Sequence, residues 1–268
     1  MFFFDIDGTI KPYNRNISIS TRNTIKRLKE LGNIIFLATG RRYNEIKFLM
    51  KELDIENAVC AGGATVVINN NIEKEEFFAK DKLKNILYEC KKYNIIIVSV
   101  SNEKCYTTYK GIKLLPYIFL MKILSKTRFF KIGSVNGIAL NSYMNIKVVD
   151  EKTFLEKSTQ KLIFYNYRHI KKVQSIKEYT IYNNVFCSSV EFEFKEKGIE
   201  YIRNKYNVHL DNIVVFGDGL NDISMFEYAK NTIAMGNACE EIKQRASFIT
   251  KKSNKDGIEY ACKYFNWI

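Results

Sequence analysis

At 268 residues and 46% hydrophobic side chains, the chain is long enough to bury a full core and too apolar to be an intrinsically disordered segment. Its longest apolar run, Leu114 to Met121, is interrupted by Pro116 and falls far short of a membrane span, while six cysteines without a C-x-x-C pair (Cys60, Cys90, Cys105, Cys187, Cys239, Cys262) favour free thiols in a reducing cytoplasm over a disulfide frame or a zinc site. The net charge of +13 sits in the middle: residues 82–187 carry 19 Lys and Arg against 6 Asp and Glu, and the flanks carry 23 of each, which marks the middle as a separate domain inserted into a neutral one.

The N-terminus has no basic region before its three phenylalanines and does not read as a signal peptide. Phe2-Phe3-Phe4 is a short apolar run, readable as a buried strand, that passes directly into Asp5-Ile6-Asp7-Gly8-Thr9. Two aspartates at i and i+2 reach one small volume if the chain turns between them, and Gly8 permits a turn that a side chain would obstruct. Left bare, such a pair would repel itself; it is more comfortable holding a divalent cation, one Asp by its carboxylate and the other by a backbone oxygen. The plain alternative is an Asp-Gly turn after an edge strand.

A helix capped by Ser18 or Ser20, with Ile25, Leu28 and Leu31 at helical spacing, ends at Gly32. An apolar strand over Asn33 to Ala38 runs into Thr39-Gly40-Arg41-Arg42 and a second amphipathic helix through Leu53. This β-α-β-α alternation predicts a parallel sheet covered on both faces, in which ligands bind beyond the carboxyl ends of the strands. Ala61 to Phe78, with an Asn-rich turn at Asn69 to Asn71, reads as a hairpin. In the middle, Leu83, Ile86, Leu87 and Cys90 form a helical stripe, and strands are expected at Ile95 to Val100, Cys105 to Tyr109, Asn145 to Val149 and Thr180 to Phe186, giving an α+β insert with an antiparallel sheet. From Glu191 the doubly wound pattern resumes: a helix from Lys197-Gly198 through Tyr206, a strand over Asn212 to Phe216, and then Gly217-Asp218-Gly219-Leu220-Asn221-Asp222. This second carboxylate cluster holds more acid than a cap needs. Ile233 to Met235, Ser247 to Thr250 and a final helix Lys255 to Trp267 complete the sheet.

Asp5-Ile6-Asp7-Gly8-Thr9, Thr39-Gly40-Arg41, Lys197-Gly198 and Gly217-Asp218-Gly219-Leu220-Asn221-Asp222, in that order, resemble the haloacid dehalogenase superfamily of phosphatases. Ala234-Met235-Gly236-Asn237-Ala238 and Ser253-Asn254-Lys255-Asp256-Gly257 look like its Cof-type subfamily. The resemblance covers 1–81 and 188–268 and implies an α/β, Rossmann-like core with residues 82–187 as an inserted α+β cap. The chain departs from the subfamily pattern at Ala61-Gly62-Gly63, where Asn-Gly is usual, at Ala246-Ser247, where Ala-Asp is usual, and in a shortened segment before Lys197 that leaves Lys195 as the alternative lysine.

The resemblance implies that Asp5 is the nucleophile, forming an aspartyl phosphate, and that Asp7 protonates the leaving alcohol and later takes a proton from water. It implies Mg²⁺ held by Asp5, the Asp7 carbonyl and Asp218, with Asp222 as support or a further ligand. Thr39, the Gly40 and Ile6 amides, Lys197 and Asn221 would bind the phosphoryl oxygens, and Arg41 leans toward the same site. Taken singly, Thr39 and Asp222 read as helix caps and Lys197 as a solvated helix-end charge; His169 and His209 have no partner pattern. The expected substrate is a small phosphorylated metabolite, a sugar phosphate or phosphorylated cofactor, with no membrane and no specific nucleic acid as partner. A phosphomutase on the same nucleophile is the near alternative. The distant one is a nucleic-acid-binding module using the basic insert and its aromatics at Tyr106 to Lys110 and Phe164 to Lys172.

Overall fold

The computed structural model describes residues 1–13, 15–101, 104–109, 146–183, 187–192 and 194–268. The strand expected at Cys105 to Tyr109 falls on these residues and those at Asn145 to Val149 and Thr180 to Phe186 fall partly on them, whereas the apolar run Leu114 to Met121 lies outside them. The chain divides into two compact units, Met1–Glu75 with Glu193–Ile268, and Glu76–Phe192. The expected boundaries at 82 and 187 are therefore too narrow: 82 falls inside the helix Lys80–Lys92, and 187 precedes a strand that belongs to the second unit. Charge marks where composition changes, and that point need not coincide with where the chain crosses between cores.

In chain order the strands are β1 (Phe2–Phe4), β2 (Ile35–Ala38), β3 (Asn57–Cys60), β4 (Thr65–Ile68), β5 (Asn71–Glu75), β6 (Ile96–Val100), β7 (Cys105–Thr107), β8 (Ile146–Val148), β9 (Lys161–Tyr165), β10 (Ile181–Asn183), β11 (Ser188–Glu191), β12 (Val214–Gly217), β13 (Asn231–Ala234) and β14 (Phe248–Ile249). The first unit is built on an eight-stranded sheet ordered β14-β13-β12-β1-β2-β3-β4-β5. Its six strands from β14 to β3 run parallel, and β4 and β5 close it as the antiparallel hairpin predicted around the Asn turn, where Asn69 and Asn70 take positive φ. Both faces are covered. Phe2 and Phe4 belong to one apolar cluster and Phe3 to the other, with Phe3 stacked on Phe36 and Phe4 on Phe216 at 4.7 Å. The all-phenylalanine run is thus legible as a central strand whose alternate rings serve opposite faces.

The helix Ile19–Glu30 is capped by Ser18, whose Oγ accepts the Thr21 N–H at 3.1 Å, and Gly32 follows at φ +81°. The helix Tyr43–Leu53 begins with the Glu45 carboxylate accepting the Arg42 N–H at 2.9 Å and ends on Asp54 in the left-handed region. From β1, the chain winds one way through β2 and β3 and, after the second unit, the other way through β12, β13 and β14. The switch point lies between β1 and β12, and the crevice beyond the carboxyl ends of those two strands is where an open α/β sheet binds its ligand.

The second unit has a six-stranded sheet ordered β10-β11-β9-β6-β7-β8, antiparallel except between β7 and β8. Leu83, Ile86, Leu87 and Cys90 of the helix Lys80–Lys92 are all buried in its core, as their spacing predicts. Strands β9 and β11 were not anticipated. The β9 run is short and leads straight into the cationic segment Tyr167–Lys172, so it reads as part of a basic aromatic stretch. In the fold Phe164, Tyr165 and Tyr106 are buried. No helix among the described residues is long and apolar enough to cross a membrane.

Candidate active site

Three loops at carboxyl ends meet at the switch point: Asp5 to Thr9 after β1, Thr39 to Arg41 after β2, and Asp218 to Asp222 after β12. Asp5, Asp218 and Asp222 are buried, and their carboxylates offer oxygens that all lie within 4.8 Å of one another. Gly8 explains how two of the loops approach so closely. Its φ is +93°, and a Cβ there would lie 2.0 Å from Asp218 Oδ2, so the Asp218 carboxylate occupies the space that any side chain would need.

Asp222 ties its own loop and the cluster together. Its Oδ2 accepts the N–H groups of Asp218 at 2.9 Å and Gly219 at 3.0 Å, and its Oδ1 accepts Lys195 Nζ at 2.5 Å. The same ammonium donates to Asp5 Oδ1 at 2.7 Å. Lys195 is 1% exposed. This corrects the expectation for Lys197, which is exposed and pairs with Glu200 at 3.3 Å one helical turn on.

The cause is local. The helix begins at Lys195, two residues earlier than its sequence pattern predicts, so Lys195 faces the sheet and Lys197 faces away. Gly63, at φ +111°, makes room for this: a Cβ there would lie 2.1 Å from the Phe194 carbonyl oxygen. Gly198 does the same one turn later, where a Cβ would fall 2.4 Å from Val59 Cγ1 on β3. The Ala61-Gly62-Gly63 turn and the shortened segment before the helix are therefore two halves of one packing arrangement.

Asp7 is held by Arg41, which donates from Nε to Oδ2 at 2.8 Å and from Nη2 to Oδ1 at 2.5 Å, a bidentate pair. Thr39 is buried, and its Oγ1 accepts the Arg41 N–H at 3.1 Å. Gly40 is half-buried beside it, Ile6 is buried between the two aspartates, and Asn221 is half-buried with its Oδ1 against Gly219. Two residues had no role in the sequence reading. Asn237 Nδ2 donates to the Gly8 carbonyl at 2.9 Å and to Asp218 Oδ2 at 3.0 Å, and Tyr13 Oη lies 3.0 Å from the Asp7 carbonyl and 3.2 Å from Asp218 Oδ2. Asn237 stood in a recognisable run but without an assigned contact; nothing in the spacing of Tyr13 marks it.

Among the described residues, Lys195 bonds Asp5 and Asp222, and Arg41 bonds Asp7. Burial and then the Asp222 charge hold the Asp5 carboxyl well above the usual carboxylate range, against the pull of Lys195. Burial, and after it Asp222, pushes Asp218 up to about 7. For Lys195, burial works against the charged form, but the Asp222 and Asp5 carboxylates outweigh it and raise the group above an ordinary lysine. Three buried carboxylates that offer only oxygen donors within 4.8 Å of one another fit a hard divalent cation such as Mg²⁺.

The chain matches the haloacid dehalogenase-like hydrolases over residues 2–262 and belongs to that family. YkrA of Bacillus subtilis (strain 168) is 26% identical over 263 residues, covering 98% of this chain and 96% of that protein. The 5-amino-6-(5-phospho-D-ribitylamino)uracil phosphatase YwtE of the same organism is 23% identical over 269 residues, covering 96% and 94%. Among solved structures, a hypothetical protein from Geobacillus kaustophilus HTA426 superimposes with a TM-score of 0.81 at 26% identity, covering 100% of this chain and 98% of that one.

Proposed function

We propose that the protein is a Mg²⁺-dependent phosphatase that hydrolyses small phosphorylated metabolites through an aspartyl-phosphate intermediate on Asp5. The observation that carries this reading is the buried Asp5 carboxylate, bonded to Lys195 and grouped with Asp218 and Asp222 at the switch point of the sheet. A phosphate monoester is a dianion that repels nucleophiles, so its cleavage depends on positioning and charge neutralisation. Asp5 attacks phosphorus and expels the alcohol; water then attacks the acyl phosphate, splitting one hard hydrolysis into two easier steps. Lys195, in place of Lys197, faces the phosphoryl oxygens with Thr39, Asn221 and the Ile6 and Gly40 amides. Asp7 gives a proton to the leaving oxygen and takes one from the water, which requires an oxygen of its carboxylate to leave the bidentate pair with Arg41. Asp5, the Asp7 carbonyl and Asp218 would hold the ion, with Asp222 as support or a further ligand, and when bound it would neutralise charge on the phosphoryl group.

The substrate class is phosphorylated sugars or cofactor precursors, a reading supported by the family and by YwtE, whose substrate by name is a phosphorylated ribitylamino compound. Within its observed limits the second unit carries 20 Lys and Arg against 9 Asp and Glu, a field that draws anionic substrates in a salt-dependent way. A cytoplasmic location fits such metabolites. Phosphate release from a panel of phosphorylated metabolites tests the reading: turnover of at least one is expected with Mg²⁺ and none with excess chelator. Release that is indifferent to the metal would contradict it.

A further inference from the structure

The two oxygens of Asp218 are treated differently. Oδ2 accepts hydrogen bonds from Asn237 Nδ2 at 3.0 Å and from Tyr13 Oη at 3.2 Å, two donors for an oxygen with two lone pairs. Oδ1 has a long contact, 3.4 Å, with the Thr9 hydroxyl. The asparagine is not free to turn. Its Oδ1 accepts the Ser253 N–H at 2.8 Å, so Nδ2 is the end that faces Asp218 and the Gly8 carbonyl. Tyr13 brings one phenolic proton to two acceptors, the Asp7 carbonyl at 3.0 Å and Asp218 Oδ2. Both donors are neutral, which matters beside Asp5 and Asp222: a cation here would satisfy Asp218 and remove its need for a metal, whereas a neutral donor fixes the carboxylate and leaves its charge in place.

We propose that Tyr13 and Asn237 form a neutral clamp on Asp218 Oδ2 that presents Oδ1 of the same carboxylate to the divalent cation. The clamp rests on the metal reading given above. Tyr13 spans the two loops that supply the Asp7 carbonyl and Asp218, and Asn237 joins those same loops to Ser253, so the clamp sets the separation of the loops as well as the direction of one carboxylate. When the ion takes the Asp7 carbonyl, the phenolic proton is left wholly to Asp218, so metal binding and the Tyr13 hydrogen bond reinforce each other. Both are positioning residues; outer partners of this kind support metal affinity by factors of about 10–100.

The test is calorimetric titration of Mg²⁺ into the substrate-free protein, for wild type, Tyr13→Phe, Asn237→Ser and the double variant. Tyr13→Phe removes a single oxygen from a ring that is 39% exposed, so the fold tolerates it. The clamp predicts a Kd for Mg²⁺ raised about 10-fold or more by each single change. It also predicts a double variant weaker than either single but by less than the product of their effects, since both donors act on one oxygen. In steady state the Mg²⁺ concentration for half-activation rises by a larger factor than kcat falls. Unchanged or tighter Mg²⁺ binding in both single variants overturns the clamp, and so does a lowered unfolding temperature without a change in Mg²⁺ affinity. Wild-type protein that takes up no Mg²⁺ overturns the metal reading itself, a result distinct from equal binding by wild type and variants.

Discussion

Lys195 and Lys197 lie two residues apart and differ in burial and in partners. Lys195 is buried between Asp5 and Asp222, whereas Lys197 pairs with Glu200 at the surface. Removing the buried ammonium leaves two carboxylates uncompensated, a change that costs about 3–5 kcal/mol in comparable buried pairs. An exposed pair contributes about 0–1 kcal/mol. Lys195→Ala is therefore expected to lose about 10²–10³-fold in turnover, as for removal of one placed charge donor, and to unfold at a lower temperature; Lys197→Ala is expected to retain both within a few-fold and a degree or two. Steady-state kinetics with thermal unfolding checks this, and the reverse ranking would show that the helix starts elsewhere. The sequence left both lysines open because the deciding contact, Gly63 against the Phe194 carbonyl, joins residues more than a hundred positions apart. The aspartates were legible because a glycine, a hydroxyl and two carboxylates directly after an apolar run have few other uses. Tyr13 was not, since a lone tyrosine in a turn carries no pattern.

At the scale of elements, most strands and helices of the first unit were readable from periodicity, with ends shifted by a few residues, but β3, between the helix through Leu53 and the expected hairpin, was not anticipated. The second unit was readable only in part, because β9 and β11 are central strands whose identity depends on pairing with each other and with β6. The helix Lys195–Tyr206 shows how an element transmits to the site. Gly198 lets it lie against Val59 on β3, while Lys195 anchors its first turn to Asp5. In an isolated helix Gly→Ala gains about 1 kcal/mol. Here the added methyl meets a buried β-branched side chain at 2.4 Å, and forcing atoms into a packed core costs about 1–3 kcal/mol. The helix is pinned at its start, so it cannot simply ride outward. Gly198→Ala is expected to lower stability in denaturant titration and to reduce kcat with it, through displacement of the Lys195 ammonium. A stabilised variant of full activity would mean that the helix packs less closely than described.

For the whole molecule, stability and the proposed metal binding are linked through Asp5 and Asp218. Both carboxyls are raised in the fold, Asp218 to about 7, whereas an unfolded chain titrates near about 3.9. Between those limits the metal-free native state binds more protons than the unfolded chain, so its stability falls as pH rises from about 4 to about 7. Lys195 is raised above an ordinary lysine, so its contribution is present throughout this window and is lost only in strong alkali. Mg²⁺ competes with those protons. Its stabilising effect is therefore expected to be small at pH 5 and to grow through pH 7, reaching about 2.7 kcal/mol at a hundredfold excess over Kd. Thermal unfolding with and without Mg²⁺ at the two pH values checks the sign; an equal shift at both would contradict it. The covalent step on Asp5 stands at the centre of this account, and rapid acid quenching during turnover, followed by peptide mass mapping, tests it most directly. A phosphoryl group on the N-terminal peptide at Asp5, absent from Asp5→Asn protein that has also lost turnover, is the predicted result; wild-type turnover by Asp5→Asn, or a phosphoryl group on a different residue, would contradict it.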